Sequence, residues 1–224
     1  MRQLYALLLC LTFAFCSKQP SVGNFESRQG KIDILRENST FSPGFFTSLK
    51  TGDTINTMRD GLTVISFGND AMVELQENSS LLIKTFSPQN KEIFLKKGAA
   101  WLKIADTPGL RFRIRTRDSV LGSPGHKVYV KILSSTETIF CHGEGQTRLY
   151  HFRSPYNAIH KEGDVFFISQ TDTHLLERSK LSEIGIQKIV LDYSRLENSA
   201  LGNKSIEADK QMALLLNFFR SKRN

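Results

Sequence analysis

The sequence predicts a mainly β fold: an antiparallel β-sandwich or roll of about a dozen short strands, followed by two C-terminal α-helices. Three observations carry that expectation. Apolar residues fall at every second position through most of the stretch from Leu49 to Ile104, the period of strands with one buried face. Turn chemistry closes each run at short intervals, as at Asn78-Ser79-Ser80 and Lys97-Gly98. Apolar spacing of three and four residues appears only after Thr173.

Residues 1–16 read as an export signal. Arg2 gives a positive start, and Leu4 to Phe15 is an uncharged apolar run too short to span a bilayer stably. Cys16 stands where the run ends, and there it resembles the acylated cysteine of a bacterial lipoprotein. Phe15 is bulkier than the residue that such a cysteine usually follows, so a plain cleaved signal peptide and an unmodified Cys16 stay open as alternatives. Lipidation at Cys16 makes the chain anchored rather than spanning. Residues 17–28 are polar, with Pro20 and Gly23, and read as a tether.

Residues 29–172 are expected to form the β domain. Gly30 to Leu35 reads as its first strand, and Ser42-Pro43-Gly44 as a turn leading to Phe45-Phe46. In the central stretch Ala71, Val73 and Leu75 share one face, then Leu81 and Ile83, Ile93 and Leu95, and Ala100, Leu102 and Ile104 opposite Trp101. Phe112, Ile114 and Thr116 alternate with Arg111, Arg113, Arg115 and Arg117. Thr138 to Cys141 and Arg148 to Tyr150 flank Gly143-Glu144-Gly145 and predict a hairpin. Glu162-Gly163-Asp164-Val165 ends the β part and echoes Thr51-Gly52-Asp53-Thr54.

Residues 173–224 form the helical extension. A first helix is expected from about Ser179 to Leu196, weakened by Gly185, and Gly202-Asn203 reads as a break. A second runs from Ile206 to Arg220 with Ser205 as N-cap, acids in its first turn, and a stripe of Met212, Leu215, Leu216 and Phe219. That stripe needs a cover, for which the β domain is the ordinary answer and a partner protein the other.

Sixteen Phe and 40% hydrophobic residues in 224 positions can fill a core, which excludes disorder as the overall state. The net charge of +8 favours acidic partners without choosing among lipid, glycan and nucleic acid. No nucleic-acid-binding motif is present, and export argues against that class. If Cys10 leaves with the signal and Cys16 is acylated, Cys141 is the one thiol left, and the domain stands on its core rather than on disulfides.

The order of parts from Gly30 to Ile168 resembles the FecR-like domain. The matching residues are Leu49, Gly52, Asp53 and Ile55, then the stretch Ala71 to Ile83, then Leu95 and Gly98. Phe112, Ile114 and Thr116 follow, with Gly163-Asp164 at the close. The resemblance implies an envelope-located protein-binding or scaffold domain with no enzyme activity and no cofactor. Better-known members add a cytoplasmic anti-sigma segment and a transmembrane helix. This chain looks like a stand-alone, exported version of the domain.

The candidate binding residues are Arg111, Arg113, Arg115 and Arg117. On one strand face they span roughly 20 Å, and guanidinium forks bind phosphate or carboxylate bidentately. The alternative is a solvated face whose charge discourages edge pairing. His142, His151 and His160 are evenly spaced but lack the close pairs of a metal site. Cys141 and His142 are sequence neighbours on opposite strand faces, which excludes a dyad without a bulge. No catalytic or metal-binding residue is assigned. Two functions follow: docking of another envelope protein, or binding of anionic glycan or lipid headgroups through the arginines.

Overall fold

The computed structural model describes residues 20–122, 125–185 and 201–221. Its eighteen strands form two nine-stranded sheets, A and B. β1 (Gly23–Gln29) opens sheet A, and the chain crosses to β2 (Ile32–Arg36) and β3 (Ser39–Phe41) in sheet B. It returns to A for β4 (Ser48–Leu49), crosses to B for β5 (Thr54–Thr57), and lays down the hairpin of β6 (Leu62–Ser66) and β7 (Ala71–Leu75) in A.

Strands then alternate between the sheets. Sheet B takes β8 (Ser80–Phe86) and β9 (Asn90–Lys97), and sheet A takes β10 (Ala99–Ile104). Next come β11 (Arg111–Arg115) and β12 (Ser119–Gly122) in B, then β13 (His126–Ser134) and β14 (Glu137–Glu144) in A. The last hairpins are β15 (Gln146–His151) with β16 (Asn157–Lys161) in B, and β17 (Val165–Ile168) with β18 (Thr173–Leu176) in A.

Sheet A runs β18-β17-β14-β13-β10-β7-β6-β1-β4, and sheet B runs β16-β15-β12-β11-β9-β8-β5-β2-β3. Every pairing is antiparallel except β9 with β11. The chain passes through sheet A as β10 between those two strands, so it re-enters sheet B in the same direction. That crossover is what a parallel pair requires.

The alternating residues of the central stretch face inward, as their period predicts. Val73, Leu75, Leu102, Val130 and Phe140 of sheet A meet Ile34, Ile55, Leu81, Ile93, Phe112 and Leu149 of sheet B. A second apolar cluster lies on the outer face of sheet A. There Trp101, Tyr129, Ile139, Cys141, Val165 and Phe167 pack under Met212, Leu215 and Phe219 of helix α1 (Leu201–Ser221). The C-terminal stripe is thus covered by the β domain, and the molecule has three layers: sheet B, sheet A and helix.

Several connections differ from expectation. The first strand is β1, inside the segment read as a tether. Its sequence, Gly-Asn-Phe-Glu-Ser-Arg-Gln, has one large apolar residue and no alternation, so only backbone pairing with β6 reveals it. The strand expected at Gly30 starts at Ile32. The hairpin expected around Gly143-Glu144-Gly145 is a crossing between sheets: β14 pairs with β13 and β17, while β15 pairs with β12 and β16.

At the C-terminal end, Arg178–Ile184 is a 3-10 helix stopped by Gly185, whose φ of 79° is left-handed. The rest of the helix expected to Leu196 lies outside the described residues. Helix α1 begins at Leu201, so Gly202-Asn203 does not break it, Ser205 is not its N-cap, and its first turn carries no acid. Gly and Asn each cost at most about 1 kcal/mol against Ala in a helix, less than the packing of three large apolar side chains contributes.

Candidate interaction face

Sheet A has its outer face under α1, whereas the outer face of sheet B has no such cover among the described residues. Residues on that face line up across strands. Leu35 stands opposite Thr54, Thr54 opposite Leu82, and Leu82 opposite Phe94. The row continues from Phe94 to Arg115, Val120, Tyr150 and Asn157. Leu35 and Tyr150 are exposed, while Leu82, Phe94 and Val120 are half-buried. Beside it runs a second row of Glu92, Arg113, Gly122, Arg148 and Ile159.

Arg111, Arg113 and Arg115 stand on this face, alternating with buried Phe112 and Ile114. Arg111 is exposed at the start of the strand. Arg113 donates to Asn90 Oδ1 at 2.9 Å and sits 3.3 Å from the carboxylate of Glu92. Its stem fills the space left by Gly122, where a Cβ would stand 2.8 Å from Arg113 Cγ. Arg115 lies 4.6 Å over the ring of Phe152 and 4.0 Å from Glu92. Glu92, largely buried, also pairs with Lys84 at 2.8 Å, so one carboxylate organises three cations.

Arg117 departs from the row. It follows the strand, and its Nη1 donates to the carbonyl of Ser135 at 3.0 Å, in the turn between β13 and β14. There it lines a groove of about 780 Å3 with Lys96, Lys97 and Lys131 beside Glu77 and Asp118. The apolar row was not legible in the sequence, because alternation assigns residues to faces but does not say which strands are neighbours. Its signal was local: Phe94, Val120 and Tyr150 are large residues at outward positions of strands whose inward positions are also apolar.

His142, His151 and His160 are buried on β14, β15 and β16. His160 Nε2 is 3.0 Å from the hydroxyl of Tyr156, and its Nδ1 is 3.6 Å from Asp164. Burial pushes all three imidazoles below their ordinary range and raises the Tyr156 hydroxyl to about 12. Among the described residues no group of three or more His, Cys, Asp or Glu is placed to hold a metal ion. Cys141 lies in the cluster under α1, on the strand face opposite His142, and burial lifts its thiol to about 12. Such a thiol is inert at neutral pH.

The fold is thus an open two-sheet sandwich with one outer face under a helix and the other mixed basic and aromatic among the described residues. The family model described as FecR protein matches residues 53–143, from the end of the Gly52-Asp53 turn to β14. Two solved structures resemble the chain: crystal structures at 1.65 Å and 2.50 Å of a proposed anti-sigma factor from Parabacteroides distasonis ATCC 8503. Both are 13% identical to it, with TM-scores of 0.49 and 0.48. The first alignment covers 59% of this chain and 63% of that one, and the second 58% and 62%. No curated protein sequence matches. Among the described residues no helix is long and apolar enough to cross a membrane.

Proposed function

We propose that the chain is a non-enzymatic cell-envelope protein that docks another envelope protein on the outer face of sheet B, in a signalling or scaffolding role. It is exported by residues 1–16 and held at a membrane through a lipid on Cys16. The FecR match supports the envelope placement and the binding role. One observation carries the choice of surface: Leu82, Phe94, Val120 and Tyr150 line up across the strands with Arg115 among them and with no helix over them among the described residues, while the outer apolar residues of sheet A lie under a helix. An apolar centre with arginine beside it is the composition of a protein interface.

The reading in which Arg111, Arg113, Arg115 and Arg117 bind anionic glycan or lipid headgroups is the second choice. Arg113 and Arg115 already share Glu92, and Arg117 points elsewhere. In-cell crosslinking from a photoreactive residue at position 150 separates the two. A discrete envelope protein captured there, and retained in high salt, supports the docking reading. Co-purifying glycan or lipid that is lost in salt supports the other.

Replacing Arg113 and Arg115 with Ala is expected to weaken either kind of binding and to leave the fold in place. Both arginines are partly exposed but share the largely buried Glu92, which keeps Lys84 at 2.8 Å in the variant, so a thermal melt should fall by several degrees without loss of the fold. A double variant that does not fold would assign these arginines to structure alone.

A further inference from the structure

Phe45 and Phe46 are 93% and 99% exposed, far more than any other large apolar side chain among the described residues. They lie between β3 and β4, where the Thr47 amide donates to the Gly44 carbonyl at 3.2 Å and closes a turn. The two phenylalanines occupy the central positions of that turn, which folding alone gives to Gly, Pro, Asn, Asp or Ser. Neither ring belongs to either apolar cluster, so burial does not account for this choice of residues.

Two basic side chains, Arg28 and Lys31, stand beside the turn. Arg28 donates to the carbonyl of Pro43, and its guanidinium lies 5.5 Å over the ring of Phe25 and 5.7 Å over that of Phe45. Lys31 lines the same shallow groove with Glu26, and its exposed Nζ lies 3.8 Å from the carboxylate of Asp33. The chain from the N-terminus arrives alongside: the Val22 amide donates to the Leu49 carbonyl at 2.8 Å, and Asn24 pairs with Ser48. Only three residues separate Cys16 from Pro20, a reach of about 14 Å at most over the four chain steps.

We propose that the Phe45-Phe46 turn is a membrane-seating element, which inserts both rings into the interfacial region of a bilayer while Arg28 and Lys31 meet anionic headgroups. The placement of the chain at a membrane is shared with the function proposed above; the surface and its occupant are new. Two phenylalanines offer about 400 Å2, half of the roughly 800 Å2 that each partner gives to a stable protein interface. For a lipid surface two rings beside cations are the right size, because weak insertions add to an anchor elsewhere on the chain. Seated this way, the molecule is held near the N-terminal edges of both sheets.

The test uses the full chain with Phe46→Trp, mixed with vesicles of phosphatidylglycerol and phosphatidylethanolamine with or without bromine on the acyl chains. Trp101 is buried under α1 and gives an unquenched background in the parent protein. The expected result is a shift of the new emission to shorter wavelength and its loss in brominated vesicles. Emission unchanged by bromine overturns the proposal, whether the protein stays in solution or sits on the vesicle with the turn in water. A shift that needs added envelope protein also overturns it, in favour of a protein contact. In the full chain with Cys16→Ser, which no lipid can anchor, Phe45→Ser with Phe46→Ser should melt like its parent and should lose vesicle-bound protein; if it keeps all of it, the turn plays no part.

Discussion

Two short turns at opposite ends of the β domain are built alike at the level of single atoms. The Asp53 carboxylate accepts the Lys50 amide at 2.8 Å, and that of Asp164 accepts the Lys161 amide at 3.0 Å. Gly52 and Gly163, with φ of 93° and 88°, donate to Ile83 and His142, which in turn donate to the Asp53 and Asp164 carbonyls. The difference is the cation. Fully buried Asp53 holds Arg36 bidentately at 2.7 and 2.8 Å, and the hydrogen bond to this carboxylate raises the guanidinium above its ordinary value. Asp164 faces His160 instead, with Tyr156 on the other ring nitrogen and His142 near by. Burial depresses both imidazoles, so the folded protein keeps them neutral where the unfolded chain, near pH 6.5, begins to protonate. Below that pH the unfolded state binds more protons, and stability falls until the folded pKa values are passed. Urea denaturation should therefore give a lower midpoint at pH 5 than at pH 7.5, and His142→Leu should flatten the difference. An equal slope in the variant would place the pH dependence elsewhere.

At the scale of elements, the crossings between sheets decide the architecture, and some consist of one residue. Gly98 alone joins β9 in sheet B to β10 in sheet A, and Gly145 alone joins β14 to β15; their φ values are 80° and 81°. A Cβ on Gly98 would stand 2.1 Å from Ser79 Oγ, the atom that accepts the Ala99 amide at 2.9 Å. Gly98→Ala should thus cost about 1–3 kcal/mol for the left-handed backbone and as much again for the clash. Gly68, also left-handed but with nothing near its missing Cβ, should lose only the first part on the same change. Urea denaturation of the two variants reads the difference directly. Such crossings explain what the sequence withheld. The alternation from Ala71 to Ile104 placed residues on the right faces, because period two depends only on the strand itself. Whether Gly143-Glu144-Gly145 returns the chain beside its own strand or sends it to the other sheet depends on neighbours that sequence does not list. The same ignorance of neighbours hid the row from Leu35 to Tyr150, while Arg111, Arg113 and Arg115 were visible because they are consecutive outward positions of one strand; Arg117, just past its end, turns elsewhere.

Across the molecule, the described residues form two apolar clusters with sheet A between them. The larger is enclosed by both sheets and uses residues from most strands, whereas the other depends on one helix laid across Trp101, Tyr129, Cys141 and Phe167. Among the described helix side chains, Met212, Leu215 and Phe219 are the buried apolar ones, with Leu216 and Phe218 partly buried beside them, so the outer layer should be separable from the inner one. Leu215→Asp with Phe219→Asp puts two unpaired carboxylates against apolar surface, a cost of several kcal/mol that exceeds what the contact of a single helix can return. The helix should lift while the sandwich, whose core it does not enter, stays folded. Trp101 emission should then move to longer wavelength, and Cys141, inert under the helix, should react with a thiol reagent at the position mapped by mass spectrometry. The strand signal in far-ultraviolet circular dichroism should persist through both changes. If the strand signal is lost together with the helix, the two layers fold as one unit, and the face of sheet B cannot be presented without α1 on the other side.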